Sequence, residues 1–490
     1  MSEQERARPQ ALVFPDEAFR ARPPVAGPPR PFHLPAMATF DLACGVTAYL
    51  VEQHALPIVS MDLSFAGGAA ADPVGKEGLA SVCMAMLTEG TRELDKLAYT
   101  ERLADTASSI GGYASDDSVG LTLSSLGKHL ASTFALFADT LRAPGFRRSD
   151  FERLVKRRIE GVRQAKGSPA SVAGRIADAV LYGPAHPYGA VVTEASLAAI
   201  TLEDCEAFAR TWLVPGRARL FVVGDLTEAQ VRACFEAREL AGWAGAPPQP
   251  PALAEPRTMA GRIFFVDLPG ATQSTVSYLQ HGPPRTAPDY FATAMLGAVL
   301  GGGFTSRLNM NLREAKGYSY GARGQFSYTR AYGALTASAP VAGDATVLSI
   351  LEIDREIKRL AGGTADHAVT GDELEREKLG AVLGLPGRFA TAQAALGQYR
   401  GLVYYGLPLD YFASYVERVR AVSVGDVTAS AVRHLRPADA VYVVVGSGDT
   451  PQRLANSPSL RDALGELAAR GDVGAGGLVE LDSDGRPISH

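Results

Sequence analysis

Apolar and polar positions alternate with a period of two over Val46–Val51 and Val59–Phe65, which predicts two strands, the second ended by Gly67 and Gly68. From Lys76 to Leu87 the chain is mostly apolar, as in a buried helix, and Glu89-Gly90-Thr91 closes it. An amphipathic period over Leu94–Ile110 predicts another helix, and residues 112–117 lead into a strand over Val119–Leu126. Helical patterns return at Ser132–Leu141, Ser149–Ala165 and Val172–Leu181. In the second half, Ile263–Val266 and Ser274–Leu279 read as strands, Tyr290–Leu300 as an apolar helix and Leu460–Ala469 as a short helix.

One pattern occurs twice. A helix from Leu202 to Trp212, Pro215, and a strand Arg219–Val223 ending at Gly224 match a helix from Val424 to Leu435, Pro437, and a strand Val441–Val445 ending at Gly446. Asp204, Pro215 and Gly224 lie 222 residues before Asp426, Pro437 and Gly446. A period that long is a duplicated domain rather than a solenoid. Strands followed by runs of helices and a return strand predict an α+β fold. The expectation is two homologous domains, each an antiparallel-rich mixed sheet packed with helices. Their bounds are residues 36–241 and 261–450, joined by a proline-rich linker at 242–260. A proline-rich arm (1–35) and an extension of unassigned role (451–490) flank them.

Leu300–Gly321, LGGGFTSRLNMNLREAKGYSYG, carries the candidate chemistry. Gly301, Gly302 and Gly303 remove side-chain bulk and allow φ > 0, so another backbone can come close. Leu308, Leu312 and Ala315 keep a helical rhythm, and Lys316-Gly317 reads as the helix end. Tyr318-Ser-Tyr320 alternates into an expected strand. Arg313 near the helix end and Tyr320 beyond it put a cation and a phenol within reach of one carbonyl or carboxylate.

Length and composition limit the classes. The 490 residues suffice for two or more domains, and a net charge of −5 leaves no basic footprint for nucleic acid. No apolar run approaches the roughly 20 residues of a membrane span. The first residues have no apolar core after their charges, so the expectation is a cytoplasmic protein, or a periplasmic one if the N-terminus is incomplete. Cys44, Cys83, Cys205 and Cys234 form no CxxC pair, and the eight histidines never fall three to five apart, so no metal site is expected. Gly317-Tyr-Ser-Tyr-Gly321 fits G-x-S-x-G, but that elbow needs a strand before and a helix after, the reverse of the order here. Pro73-Val-Gly-Lys-Glu-Gly78 lacks the first glycine and the hydroxyl of a phosphate loop. His186 reads as a structural loop histidine or a partner contact.

Gly78-Leu79-Ala80, Met86-Leu87, Gly90-Thr91, His186-Pro187-Tyr-Gly189, the paired Val-Val-Gly strand ends and above all LGGGFTSRL…LREAKGYSY together resemble the pitrilysin/insulinase-type (M16) metallopeptidases, in their processing-peptidase-like branch, over about residues 38–450. The resemblance implies that Arg313 and Tyr320 are catalytic residues facing a zinc site on another domain, and that Gly301, Gly302, Gly303 and Phe304 contact substrate. It also implies an H-x-x-E-H zinc motif at the five positions held here by Ser81, Val82, Cys83, Met84 and Ala85. The family's third ligand, a Glu about 76 residues further on, falls at Gly161 with Glu160 beside it. The expectation is therefore a chain that binds no zinc and is inactive alone, the non-zinc subunit of a heterodimer whose partner carries zinc and which hydrolyses peptides. The alternative is an inactive scaffold, assembly or peptide-binding subunit.

Overall fold

In the computed structural model, residues 17–21, 36–236, 240, 242–256, 259–471, 473 and 476–488 are described. Apart from a 3₁₀ turn at Ala18–Ala21, the expected proline-rich arm lies outside them. Twelve strands among the described residues make two six-stranded sheets. The first contains β1 (Ala38–Asp41), β2 (Thr47–Glu52), β3 (Ile58–Ala66), β4 (Ser109–Ala114), β5 (Ser118–Leu126) and β6 (Arg219–Gly224), in the order β1-β2-β6-β3-β5-β4. The second contains β7 (Ile263–Asp267), β8 (Gln273–Gly282), β9 (Arg323–Tyr328), β10 (Gly333–Ala342), β11 (Val441–Gly446) and β12 (Leu478–Glu480), in the order β12-β7-β11-β8-β10-β9. Only β2/β6, β7/β11 and β12/β7 run parallel. The α+β class with mixed, antiparallel-rich sheets is thus observed.

The central strands β6 and β11 read RLFVVG and VYVVVG because helices cover both of their faces. The helices that matter below are α1 (Leu79–Leu87), α2 (Arg148–Ala165), α3 (Pro169–Tyr182), α4 (Leu202–Trp212), α5 (Tyr290–Gly301), α6 (Ala392–Tyr404), α7 (Val424–His434) and α8 (Leu460–Arg470). The 222-residue step carries α4 onto α7 and β6 onto β11 with no slip. Even the capping boxes correspond, Thr201 with Asp204 and Ser423 with Asp426.

The same step carries α3 onto α6, and these two helices are exchanged. α3 belongs to the first half but packs on β8 and β11 of the second sheet, while α6 packs on β3 and β6 of the first. A separate apolar core between Val172, Ile176 and Val180 of α3 and Phe264, Val441 and Val443 results. Residues 34–490 accordingly cluster as one unit. The outer edge strands break the symmetry, since β1 comes from before the first repeat and β12 from after the second. Residues after 450 therefore complete the second sheet, and Asp484 beyond β12 accepts from Lys166 and Arg175 of the first half.

Two expected elements differ. The helix predicted to run to Ile110 ends at Asp105, and Ser109–Ala114 is the edge strand β4. Ala107, at φ 47°, turns the chain and cannot continue a helix. Tyr318–Tyr320 is not a strand. It makes a single bridge, Ser319 to Val341, before β9 begins at Arg323.

Candidate functional site

On α1, Leu79, Ala80, Val82, Cys83, Met84, Met86 and Leu87 are buried. Ser81 and Ala85 are the two positions left partly open, and at i and i+4 they share a face. Asp72 fixes the helix start by accepting from the amides of Gly78 and Ala80, each at 2.8 Å. Burial nevertheless lifts its carboxyl to about 6. Glu160 on α2 is exposed and paired with Arg163 at 2.7 Å, and Gly161 has open space around it. A hydroxyl, a methyl and a bare glycine do not make a zinc donor set. Among the described residues no group of three or more His, Cys, Asp or Glu is placed to hold a metal. Cys83 donates to the carbonyl of Cys205 at 3.3 Å, and burial pushes both thiols up, Cys205 to about 12, so neither is a ready nucleophile.

The glycine run is not the open cradle its composition suggests. Gly301 ends α5 against Gly324 of β9, where a Cβ would stand 1.9 Å from the Gly324 nitrogen. Gly302 lies on Ala298, where a Cβ would stand 2.7 Å from the Ala298 Cα, and only Gly303 faces open space. None of the three has positive φ. The close approach is therefore mostly internal, between helix and sheet. Phe304 follows, 55% exposed.

The next helix starts as α over Arg307–Asn309 and widens to a π-helix over Met310–Ala315, with Lys316 N–H reaching the Asn311 carbonyl at 3.0 Å. Gly317, at φ 63°, ends it in the left-handed region. Arg313 lies on this widened turn, its guanidinium 4.8 Å from the centre of the Phe304 ring and 3.3 Å from Glu314. Arg307 is by contrast locked, with Nε and Nη2 each 2.8 Å from Glu373, whose carboxyl it holds down at about 2 against the penalty of burial.

Tyr320 is 86% exposed, and its hydroxyl has no partner among the described residues. Its turn is nonetheless fixed. Ser319 Oγ lies 2.7 Å from the Gly321 carbonyl and 2.6 Å from that of Pro340, and accepts from the Gly321 amide at 3.0 Å. That serine is a turn brace, and no histidine bonds to it among the described residues. The structure thus brings Arg313 and Phe304 together and presents Tyr320 separately on the next turn.

Asn309 is the residue that pattern reading missed. It is buried, donates from Nδ2 to the Phe304 carbonyl at 2.8 Å and accepts at Oδ1 from the Ala322 amide at 3.0 Å. One side chain therefore ties the Phe304 loop to the Tyr320 turn. His186 is structural: Nδ1 accepts from the Tyr188 amide, so Nε2 carries the proton given to the linker carbonyl of Ala254 at 3.0 Å.

Two family models match this chain, the insulinase family (peptidase family M16) over residues 48–180 and the peptidase M16 inactive domain over residues 199–380. Together they cover well over half of it. This chain belongs to the M16 peptidase family. Among M16 relatives, it is 22% identical over 411 residues to the non-peptidase homolog YmxG of Helicobacter pylori, covering 81% of this chain and 90% of that one. An uncharacterized zinc protease of Mycobacterium leprae is 25% identical over 281 residues, covering 54% of this chain and 61% of that one. The crystal structure of a peptidase M16 inactive domain from Pseudomonas fluorescens superposes with a TM-score of 0.75 at 25% identity, over 84% of this chain and 98% of that one. Ser81, Met84 and Ala85, the positions at which the resemblance places the motif's histidines and general base, hold none of those residue types, and Met84 is fully buried. The chain is an M16-type protein without a zinc motif of its own. No described helix is long and apolar enough to cross a membrane.

Proposed function

We propose that this chain is the non-zinc subunit of a two-subunit M16-type peptidase and completes the active site of a zinc-bearing partner. The partner supplies metal, water and base. Arg313 holds a substrate carbonyl or carboxylate, Tyr320 donates to the oxyanion, and Gly303 with Phe304 borders the peptide. The observation that carries this reading is Tyr320, a phenol left almost wholly in solvent on a turn pinned at both ends. A tyrosine kept for packing would be half-buried, whereas a donor fixed in place and left unpaired is preorganised for a charge that arrives with substrate.

The test is peptide cleavage by this chain alone, by an M16 chain with an intact H-x-x-E-H, and by the two mixed, with and without chelator. The expected result is zinc-dependent cleavage in the mixture, reduced about a hundredfold or more by Tyr320→Phe, as for loss of one oxyanion donor. Arg313→Ala is expected to act in the same direction. Turnover by this chain alone overturns the reading. A mixture indifferent to both substitutions supports the second reading, an assembly or peptide-binding subunit, which the relative described as a non-peptidase homolog favours.

A further inference from the structure

In the second half, the loop between β8 and α5, the turn Pro386–Phe389 and the helix Tyr415–Ala421 meet over one aromatic cluster. Phe291 lies 6.0 Å from Tyr411 and 5.6 Å from Tyr415, ring centre to ring centre, and all three are buried. Three arginines lie on this cluster. Arg285 is stacked on Tyr290, its Cζ 3.4 Å from the ring centre, and donates to the Tyr411 hydroxyl at 2.9 Å. Arg418 lies over Phe291 at 4.7 Å and Arg388 over Tyr415 at 5.6 Å. Arg285 and Arg418 also share the Tyr411 ring, at 5.1 Å and 5.9 Å from its centre, so their Cζ atoms are at most about 11 Å apart.

Among the described residues, no carboxylate pairs with any of the three guanidiniums. Asp289, close to Arg285 in sequence, is taken by Arg433 at 2.9 Å and His434 at 2.8 Å. Burial pushes the Tyr290 phenol up, and the charges that pull it back are Arg285 and Arg388, so cations set the field at that ring. Other arginines of this half are neutralised, as Arg307 is by Glu373. A guanidinium laid on a ring keeps its donors in its own plane, free for a second partner. The ring also restricts its rotamers, so less ordering remains to be paid when an anion arrives. Arg388 and Arg418 are exposed, and Leu409, 40% exposed, precedes Tyr411 by two residues.

We propose that this arginine-on-aromatic patch docks an acidic segment of a partner protein in extended form, whose carboxylates pair with Arg285, Arg388 and Arg418. The planar fork of arginine matches a carboxylate with two parallel hydrogen bonds. Alternate residues of an extended chain share one face at a spacing of about 6.6 Å, so a segment with acids at every second position reaches successive guanidiniums within the span set by Tyr411. The exposed Leu409 offers a contact to apolar side chains of a peptide and none to an inorganic polyanion. The net charge of −5 likewise works against a densely charged ligand. None of these residues belongs to the shared active site, and the docking needs no zinc-bearing chain.

The experiment is calorimetric titration of the purified single chain with a capped Glu-Ala-Glu-Leu-Glu peptide, with its Gln-Ala-Gln-Leu-Gln counterpart and with tripolyphosphate. The glutamate peptide is expected to bind about tenfold or more tightly than the glutamine peptide, the value of one charge-assisted hydrogen-bonded pair, and more tightly than tripolyphosphate. The double variant Arg388→Gln with Arg418→Gln is expected to lose that preference. Arg330→Gln, which removes an exposed arginine on the β9–β10 turn, is expected to keep it. No binding of the glutamate peptide, equal binding of the two peptides, or an unchanged preference in the double variant overturns the proposal. So does an equal loss in Arg330→Gln, which would mean diffuse attraction to any surface arginine, and so does tighter binding of tripolyphosphate. The comparison of ligands on the unaltered chain stands even if the double variant does not fold. Because the readout is binding by one chain, a mixture that fails to cleave leaves this result untouched, and the converse also holds.

Discussion

At the scale of single residues, the candidate site depends on Asn309. Its amide holds the Phe304 carbonyl and the Ala322 amide, so replacing it with leucine leaves the buried Ala322 donor and the part-buried Phe304 acceptor unpaired. Each such group costs about 1–3 kcal/mol. Asn309→Leu is expected to lower stability in chemical denaturation by about 2–4 kcal/mol. It should also lower cleavage by the mixture with partner as far as Tyr320→Phe does. Full cleavage at reduced stability would limit Asn309 to folding. Sequence alone placed Arg313 at a helix end and Tyr320 just past it. It did not find Asn309, because a helical period assigns a polar residue to solvent and this one points into the protein. Nor did it find the π-turn: apolar spacing locates Leu308 and Leu312, both buried, but is silent on a carbonyl reached five residues back.

At the scale of elements, α1 is a buried helix whose two open positions, Ser81 and Ala85, carry no metal ligand. The mostly apolar run from Lys76 made it legible, although it starts at Leu79, because Gly78 at φ 104° cannot be a helical residue. The edge strand β4 was hidden because Ser109–Ala114 is only half-buried and carries on the amphipathic look of the preceding helix. What anchors α1 is Asp72, and its charge is costly. Its folded pKa, about 6, lies above the unfolded value of about 3.9, so the folded state binds the proton more tightly. Stability should therefore rise as pH falls from 7 towards 5, and fall again as pH rises through about 6. Asp72→Asn removes that titration and one of the two acceptors at Gly78 and Ala80. It is expected to be less stable than the parent by about 1–2 kcal/mol at pH 7, with the gap widening towards pH 5. A gap constant across that range in urea denaturation would show that Asp72 is not the titrating group.

At the scale of the whole molecule, the duplication was legible and the exchange was not. Three landmarks at one spacing sufficed to pair α4 with α7 and β6 with β11. An apolar helix face, however, looks the same whether it covers its own sheet or its neighbour's. The exchange makes each half incomplete. Without α6, the first sheet exposes the faces of β3 and β6 and leaves the fully buried Asp62 without its Arg400 partner. Without α3, the second sheet uncovers Phe264, Val441 and Val443. An apolar face of that kind, left bare, is an association surface. A chain divided after Ala246, inside the linker, is therefore expected to yield two pieces that are insoluble or partly unfolded when expressed apart. Expressed together they should recover a one-to-one complex that unfolds in a single transition, because each piece carries the helix that the other needs. Arg400→Ala in the second piece should weaken that complex, since it strands Asp62 as a buried charge; breaking such a pair costs about 3–5 kcal/mol. The partial exposure of Arg400 puts the expected loss at the low end of that range. A first piece that is monomeric and unfolds cooperatively by itself would show that the exchanged helix is an ornament on an independent domain rather than a shared part of two.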